Sequence, residues 1–265
     1  MNLVIFGYGF VGSTVAEFIM SNCNHNVTII DPKYFNNDPL DAILDADGVI
    51  ICVPTPPGPT GSCDDRIVKE ILAMCDARTK VLVKSSVTPN LIQDYDVNVV
   101  YSPEFLRQNH AKADFRDQPF MIFGHHKHNE EDADWWISVF KECFNDVEYI
   151  KTSRRNASMI KYIHNSWLAT KVAFFHELYL NLPPEMDYNE ITDILGMFPN
   201  IGSSHMKAPN DDGQLGYGGA CFPKDVEAIL KSLDHSILKQ VHDTNYWLKG
   251  KDITNELRMR KVANR

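Results

Sequence analysis

Three separated groups of residues in this sequence have types and spacings suited to chemistry. The first is Gly216–Asp225, GYGGACFPKD, where a single cysteine, Cys221, follows Gly216, Tyr217, Gly218 and Gly219 and precedes Pro223, Lys224 and Asp225. Proline suits the first helical position, so the thiol is expected at a helix N-terminus with Lys224 nearby. The helix dipole and a cation both favour the thiolate, which is the nucleophilic form of cysteine. The glycines are expected to leave space for a ligand at the sulfur, which a merely packed cysteine does not need. The second group is Lys161 and Asn165, placed at i and i+4 in NASMIKYIHNSWLATKVAFFHELYLN. Such residues share one helix face, so a cation and an amide are presented together to a substrate hydroxyl or oxyanion. Taken alone, the pair is better read as a surface stripe with the lysine in water. The third is the G-x-G-x-x-G of Gly7, Gly9 and Gly12. Its first glycine permits a tight turn and its second lets a pyrophosphate approach the backbone. The third allows close helix–strand packing.

The elements that must position these groups are legible in outline. NLVIF, an apolar β-branched run, enters the glycine turn, and STVAEFIMSN continues it with helical spacing. HNVTIID reads as a second strand ending in Asp31, nineteen residues after Gly12. A carboxylate there accepts hydrogen bonds from a ribose 2′-hydroxyl and repels a 2′-phosphate, so NAD is favoured over NADP. ADGVIICVPTPPG, KVLVKSSVTPN and NVVYSPEF give further strands, separated by helical stretches such as DRIVKEILAMCDA. That alternation predicts an α/β fold with a doubly wound parallel sheet. Ligands bind such sheets at the carboxyl ends of the strands, which gathers Pro54–Pro57, Ser85–Ser86 and Pro103–Glu104 around one crevice. The helix from 156 to about 181 carries Met159, Ile160, Ile163, Trp167, Leu168, Val172 and Phe175 at helical spacing and is expected to be mostly buried. A small all-helical domain follows it, giving domain bounds of 1–152 and 153–265.

Composition excludes several classes. Over 265 residues, 44% hydrophobic and 23% charged content is that of an ordinary globular protein. A net charge of −9 argues against a broad nucleic-acid surface. No apolar run approaches the roughly 18–20 residues of a membrane span, and no secretory signal is visible, so a cytoplasmic protein is expected. The six cysteines show no CxxC pair and no Cys/His ligand spacing, so most are expected to be plain buried thiols. His125, His126 and His128 read as a solvated loop, and no metal is expected.

The motifs GYGFVG, VPTP, KSSV, SPEFLRQNHAKADF, KYIHNSWLATKV and GYGGACFPKD, in that order, are similar to those of the UDP-glucose/GDP-mannose dehydrogenase family. The resemblance runs from the first residue to about Leu233. It implies a Rossmann-like domain and the NAD-dependent four-electron oxidation of a nucleotide-sugar primary alcohol to the acid, with UDP-glucose as the expected substrate. It implies Cys221 as the nucleophile that forms a thiohemiacetal and then a thioester. Lys161 and Asn165 match the pair that stabilises the oxyanion and holds a water, and Asp225 the carboxylate that helps polarise them. Glu104 matches the glutamate assisting thioester hydrolysis, and Ser86 a hydroxyl that places water. Cofactor contacts fall on Gly7, Gly9, Phe10, Val11, Gly12, Asp31, Val53, Pro54, Thr55, Ser86, Glu104 and Lys224. Substrate contacts fall on Glu104, Phe105, Leu106, Lys161, Asn165, Gly216–Gly219 and Cys221. The long helix is expected to form a homodimer. Gln108 replaces a usual second glutamate, Asn200 replaces a usual arginine, and a third domain is expected to be missing. A single-step alcohol dehydrogenase and a non-catalytic NAD-binding partner of a longer homologue are the alternatives.

Overall fold

The computed structural model describes residues 1–250 except 36, 59, 60, 97, 108 and 145. Strand and helix alternate from the start: β1 (Asn2–Phe6), α1 (Phe10–Asn22), β2 (Asn26–Ile30), α2 (Pro39–Leu44), β3 (Gly48–Ile51), α3 (Arg66–Leu72), β4 (Lys80–Val83) and α4 (Pro89–Ile92). The alternation continues through β5 (Val99–Tyr101), α5 (Ala111–Arg116), β6 (Phe120–His125), α6 (Glu130–Lys141) and β7 (Glu148–Ser153). Helices follow: α7 (Arg154–Asn181), α8 (Tyr188–Gly196), α9 (Phe222–Ser232) and α10 (Ser236–Lys249).

Among the described residues the strands form a seven-stranded sheet in the order β2-β1-β3-β4-β5-β6-β7. Leu3 and Ile5 of β1 face one layer, with Val15 and Ile19 of α1 and Trp136 and Phe140 of α6. Val4 and Phe6 face the opposite layer, with Val68 and Ile71 of α3 and Ile92 of α4. Burial on both faces is what selects the unbroken Val/Ile/Leu runs of the inner strands. Because β2 and β3 flank β1 on opposite sides, their connections diverge beside it and leave a crevice at the strands' carboxyl ends.

The sheet departs from the expected all-parallel form at one edge. β5 and β6 pair antiparallel, through Tyr101 and Gly124, and β7 then runs parallel to β6. The intervening helix α5 has six residues and spans only about 9 Å. It does not carry the chain back along the length of the sheet, so β6 enters from the end at which β5 leaves.

The chain divides into two compact units within α7, Met1–Lys161 and the residues from Tyr162 onward. In the first, the Arg154 guanidinium donates to the carbonyls of Tyr95 and Asp96 and anchors the start of α7. In the second, the Tyr188 hydroxyl donates to the carbonyls of Phe175 and Met206, and the Lys171 ammonium donates to those of Ile201 and Gly202.

Helix α7 is not mostly buried as its apolar content suggests. Ile160, Ile163, Trp167 and Phe174 are exposed, while Val172 and Phe175 are buried. Polar residues fill much of the covered face instead, with Ser158, Lys161, Asn165, Lys171 and His176 all buried. The cysteines also depart from expectation. Cys23 and Cys143 are joined as a disulfide across 120 residues, Cys63 is a buried thiol that donates to the Ser86 carbonyl, and Cys52 and Cys75 are half-buried thiols. No helix among the described residues is long and apolar enough to cross a membrane.

Candidate active site

The glycine turn between β1 and α1 has the steric demands its motif implies. Gly7 has φ +89° and its N–H donates to the Ile30 carbonyl. A Cβ on Gly7 would lie 2.8 Å from the Cys52 carbonyl oxygen, and one on Gly12 would lie 1.8 Å from the Gly7 oxygen. Gly9 is different: nothing lies within 4 Å of its would-be Cβ, and the space above it is open. Gly9 caps α1 with no side-chain bond, and no acidic residue stands in the first turn. Phe10 and Val11 open the helix, whose unsatisfied N–H groups are suited to an anion. At the end of β2, Asp31 accepts hydrogen bonds from the Tyr8 and Lys33 N–H groups at 2.7 and 2.9 Å. An ionised carboxylate has about four lone-pair positions, so two remain for a ribose. Open cradle, bare helix end and half-buried acid together fit a dinucleotide.

The loops after β3 and β4 are tied to each other. Ser85 Oγ donates to the Val53 carbonyl at 2.8 Å, and Thr55 Oγ1 donates to the Ser86 carbonyl at 2.7 Å. Thr55 is buried by that bond, whereas Pro54 is exposed. Beyond β5, Glu104 is buried and its carboxylate is paired with the ammonium of Lys84, which also lies 3.2 Å from Ser102 Oγ. The Lys161 ammonium donates to the Glu104 carbonyl and sits 5.3 Å from the centre of the Phe105 ring. Leu106, next in the chain, is half-buried and packs against the α1/α6 layer.

In the second unit, Cys221 is the N-cap residue of α9 and is exposed. Its carbonyl accepts from the Asp225 N–H at 2.9 Å, closing the first helical turn. Asp225 is 1% exposed, and its two oxygens accept from Asn165 Nδ2 and Lys224 Nζ, each at 2.6 Å. Lys224 is therefore bound to its neighbouring carboxylate.

Gly216 serves a different end from the one expected of the glycines before the cysteine. Gly216 is buried with φ +80°, and a Cβ there would meet Asn245 Oδ1 at 2.5 Å. Its N–H donates to His176 Nδ1, and its carbonyl accepts from Asn210 Nδ2. Tyr217 is buried beside it, its N–H donating to Asn245 Oδ1. Gly216 and Tyr217 thus fasten the loop to α7 and α10, and only Gly218 and Gly219 have exposed surface. Burial holds the His176 imidazole below its ordinary pKa, in keeping with a neutral ring that accepts at Nδ1 and donates to the Lys207 carbonyl at Nε2.

Sequence reasoning missed Lys84, His176, Asn210 and Asn245. Lys84 is placed by strand register: β4 and β5 pair with Val83 opposite Tyr101, which sets the lysine beside Ser102. The others are joined by loop geometry that no spacing announces. Asn200 is exposed in a turn, and Gln108 lies outside the described residues.

Comparison with known proteins adds the following. Residues 33–145 match the NAD binding domain of the UDP-glucose/GDP-mannose dehydrogenase family, and residues 155–247 match its central domain. A UDP-glucose 6-dehydrogenase of Rickettsia bellii is 28% identical over 92% of this chain and 67% of its own length. UDP-glucose 6-dehydrogenase TuaD of Bacillus subtilis is 32% identical over 74% of this chain and 44% of its own. Among solved structures, a UDP-glucose dehydrogenase from Pyrobaculum islandicum superposes with a TM-score of 0.81 at 25% identity, over 93% of this chain and 68% of that one. The chain thus spans about two thirds of the Rickettsia relative's length and less than half of TuaD's.

Proposed function

Because this chain belongs to the UDP-glucose/GDP-mannose dehydrogenase family, we propose that it is an NAD-dependent nucleotide-sugar dehydrogenase. It takes a primary alcohol through the aldehyde to the carboxylate, with UDP-glucose as the substrate of first choice. The observation that carries this reading is an exposed cysteine at a helix N-cap, one turn before a buried carboxylate that holds Asn165. An enzyme that stops after one oxidation has use for a lysine and an asparagine but not for a presented thiol.

Gly7, Gly9, Gly12 and Asp31 would hold NAD, and two NAD molecules bound in turn would each take up one hydride. Cys221 Sγ adds to the carbonyl carbon of the aldehyde, and the carbonyl π electrons move to oxygen, giving a thiohemiacetal. Donors placed beforehand around such an oxyanion are worth roughly 3–4 kcal/mol each where they have been removed from other enzymes. Lys161 and Asn165, one turn apart on α7, are assigned that role. Oxidation of the adduct leaves a thioester on Cys221. Water attacks its carbonyl carbon, the C–S bond breaks, and the acid leaves with the thiol restored. Glu104 assists the water. Its carboxylate is paired with the Lys84 ammonium, which fixes its position. Asp225 positions Asn165 and Lys224, and Ser86 is assigned the hydroxyl that helps place the water.

The exposed apolar stripe on α7 supports a homodimer through that helix. The test is Cys221→Ser against wild type with UDP-glucose and NAD. Acid formation is expected to fall by roughly three orders of magnitude or more, as for loss of a covalent nucleophile elsewhere. The same loss is not expected of Cys75→Ser, a half-buried thiol outside the site. Unchanged acid formation by Cys221→Ser overturns the assignment.

A further inference from the structure

We propose that Cys23, His25 and Cys143 form a divalent-metal site, with zinc the metal best suited, in the state where the two cysteines are reduced. This does not depend on the reaction proposed above, and it revises the expectation that no metal binds.

Cys23 is the C-cap residue of α1, His25 immediately precedes β2, and Cys143 follows α6. One donor atom from each of the three lies within 4.8 Å of the other two. The pairing of the two sulfurs as a disulfide accounts for the cysteines but not for the histidine. The His25 side chain is 2% exposed, and neither ring nitrogen has a hydrogen-bond partner. A buried imidazole without partners is a cost that native structures rarely carry without a compensating role. The Glu142 carboxylate stands 3.5 Å from Nε2, longer than an ordinary hydrogen bond but placed to orient the ring. A carboxylate behind a histidine is the usual support for a metal-bound imidazole, and it leaves Nδ1 as the donor.

Two thiolates and an imidazole are a soft-to-borderline set that suits zinc and not magnesium or calcium, which take oxygen ligands. Cys143 also lines a surface cleft with Asn22, Asp117 and Gln118, so a water can complete a tetrahedron. A dithiol or phosphine reductant gives two electrons to the disulfide, and the two sulfurs take up two protons. The metal ion then displaces both protons and binds the two thiolates. Either state fastens the end of α1 to the end of α6, at the rim of the apolar layer those helices share. Sequence spacing could not announce the site, because Cys23-x-His25 is too short a signal and the third ligand is 120 residues from Cys23.

The test uses the full chain, reduced with a phosphine, incubated with Zn²⁺, freed of unbound metal and assayed for zinc. One equivalent is expected, lost in Cys143→Ser and His25→Ala and kept in Cys75→Ser. Two readouts on the unmutated chain guard against variants that fail to fold. Co²⁺ is expected to give the intense visible bands of a tetrahedral thiolate site. Zn²⁺ is expected to shield Cys23 and Cys143 from alkylation, mapped by peptide mass, until a chelator is added, and the chelator is expected to lower the melting temperature of the reduced protein. Absence of bound metal after reduction, retention by the Cys143→Ser variant, or equal alkylation with and without zinc each overturns the proposal and leaves the pair as a disulfide alone.

Discussion

Cysteine environments in this protein separate by burial. Burial pushes the Cys52 thiol up to about 12 and the Cys75 thiol to about 11, so both stay protonated near neutral pH. Cys221, by contrast, is exposed at the N-terminus of α9. His176 sets a pH limit on the loop that presents it. Its folded pKa lies below the ordinary 6.5, so under that value the unfolded chain takes up a proton that the folded chain refuses. The stabilisation is complete above the ordinary value and is lost as pH falls from there through the depressed folded value. Protonation also removes the acceptor of the Gly216 N–H. Melting temperature measured from pH 8 down to about 5 is therefore expected to drop less steeply in His176→Gln than in the wild type. Identical slopes would count against this account. Lys84 gives a second prediction. Removing one partner of a buried ion pair costs roughly 3–5 kcal/mol, so Lys84→Met should lower unfolding free energy by about that much. The double variant Lys84→Met/Glu104→Leu should recover much of the loss in urea titrations, because no buried charge is then left alone.

Among the elements, α7 mixes the usual arrangement of a helix in a globular protein, with lysines, asparagine and histidine covered beside Tyr162, Val172 and Phe175 while Ile160, Ile163, Trp167 and Phe174 are exposed. Functional groups facing inward and an apolar stripe facing outward are the pattern of a helix with a site on one side and a partner on the other. Trp167 is 64% exposed in the middle of the stripe. Light scattering on the wild type is expected to give a dimer and on Trp167→Asp a monomer; a monomeric wild type would refute the dimer. Helical periodicity located this helix to within about two residues at its start, because the period depends on local spacing alone. It did not tell which apolar residues are covered, because that depends on what packs against each face. The glycine turn was legible for a related reason: Gly7 and Gly12 meet steric demands set within their own strand–turn–helix unit and by one adjacent strand. The Lys84–Glu104 pair, the antiparallel β6 and the Cys23–His25–Cys143 cluster are products of strand register and chain return, which leave little mark on local sequence.

At the scale of the whole chain, the residues to which the proposed reaction assigns roles fall in two compact units that divide within α7. The first carries the glycine turn, Asp31, Glu104, Lys84 and Lys161, and the second carries Asn165, Cys221 and Asp225. Neither set alone performs two oxidations of one carbon: a dinucleotide site without a thiol supports one, and a thiol without a dinucleotide site supports none. The number of hydrides removed from each substrate molecule therefore reports directly on whether both sets act in one reaction. The decisive measurement is the amount of NADH formed from a limiting, known quantity of nucleotide sugar carried to completion, beginning with UDP-glucose and extending to other nucleotide sugars. Two NADH per sugar, with the acid as product, is the result predicted; one NADH per sugar, unaltered by Cys221→Ser, would contradict it.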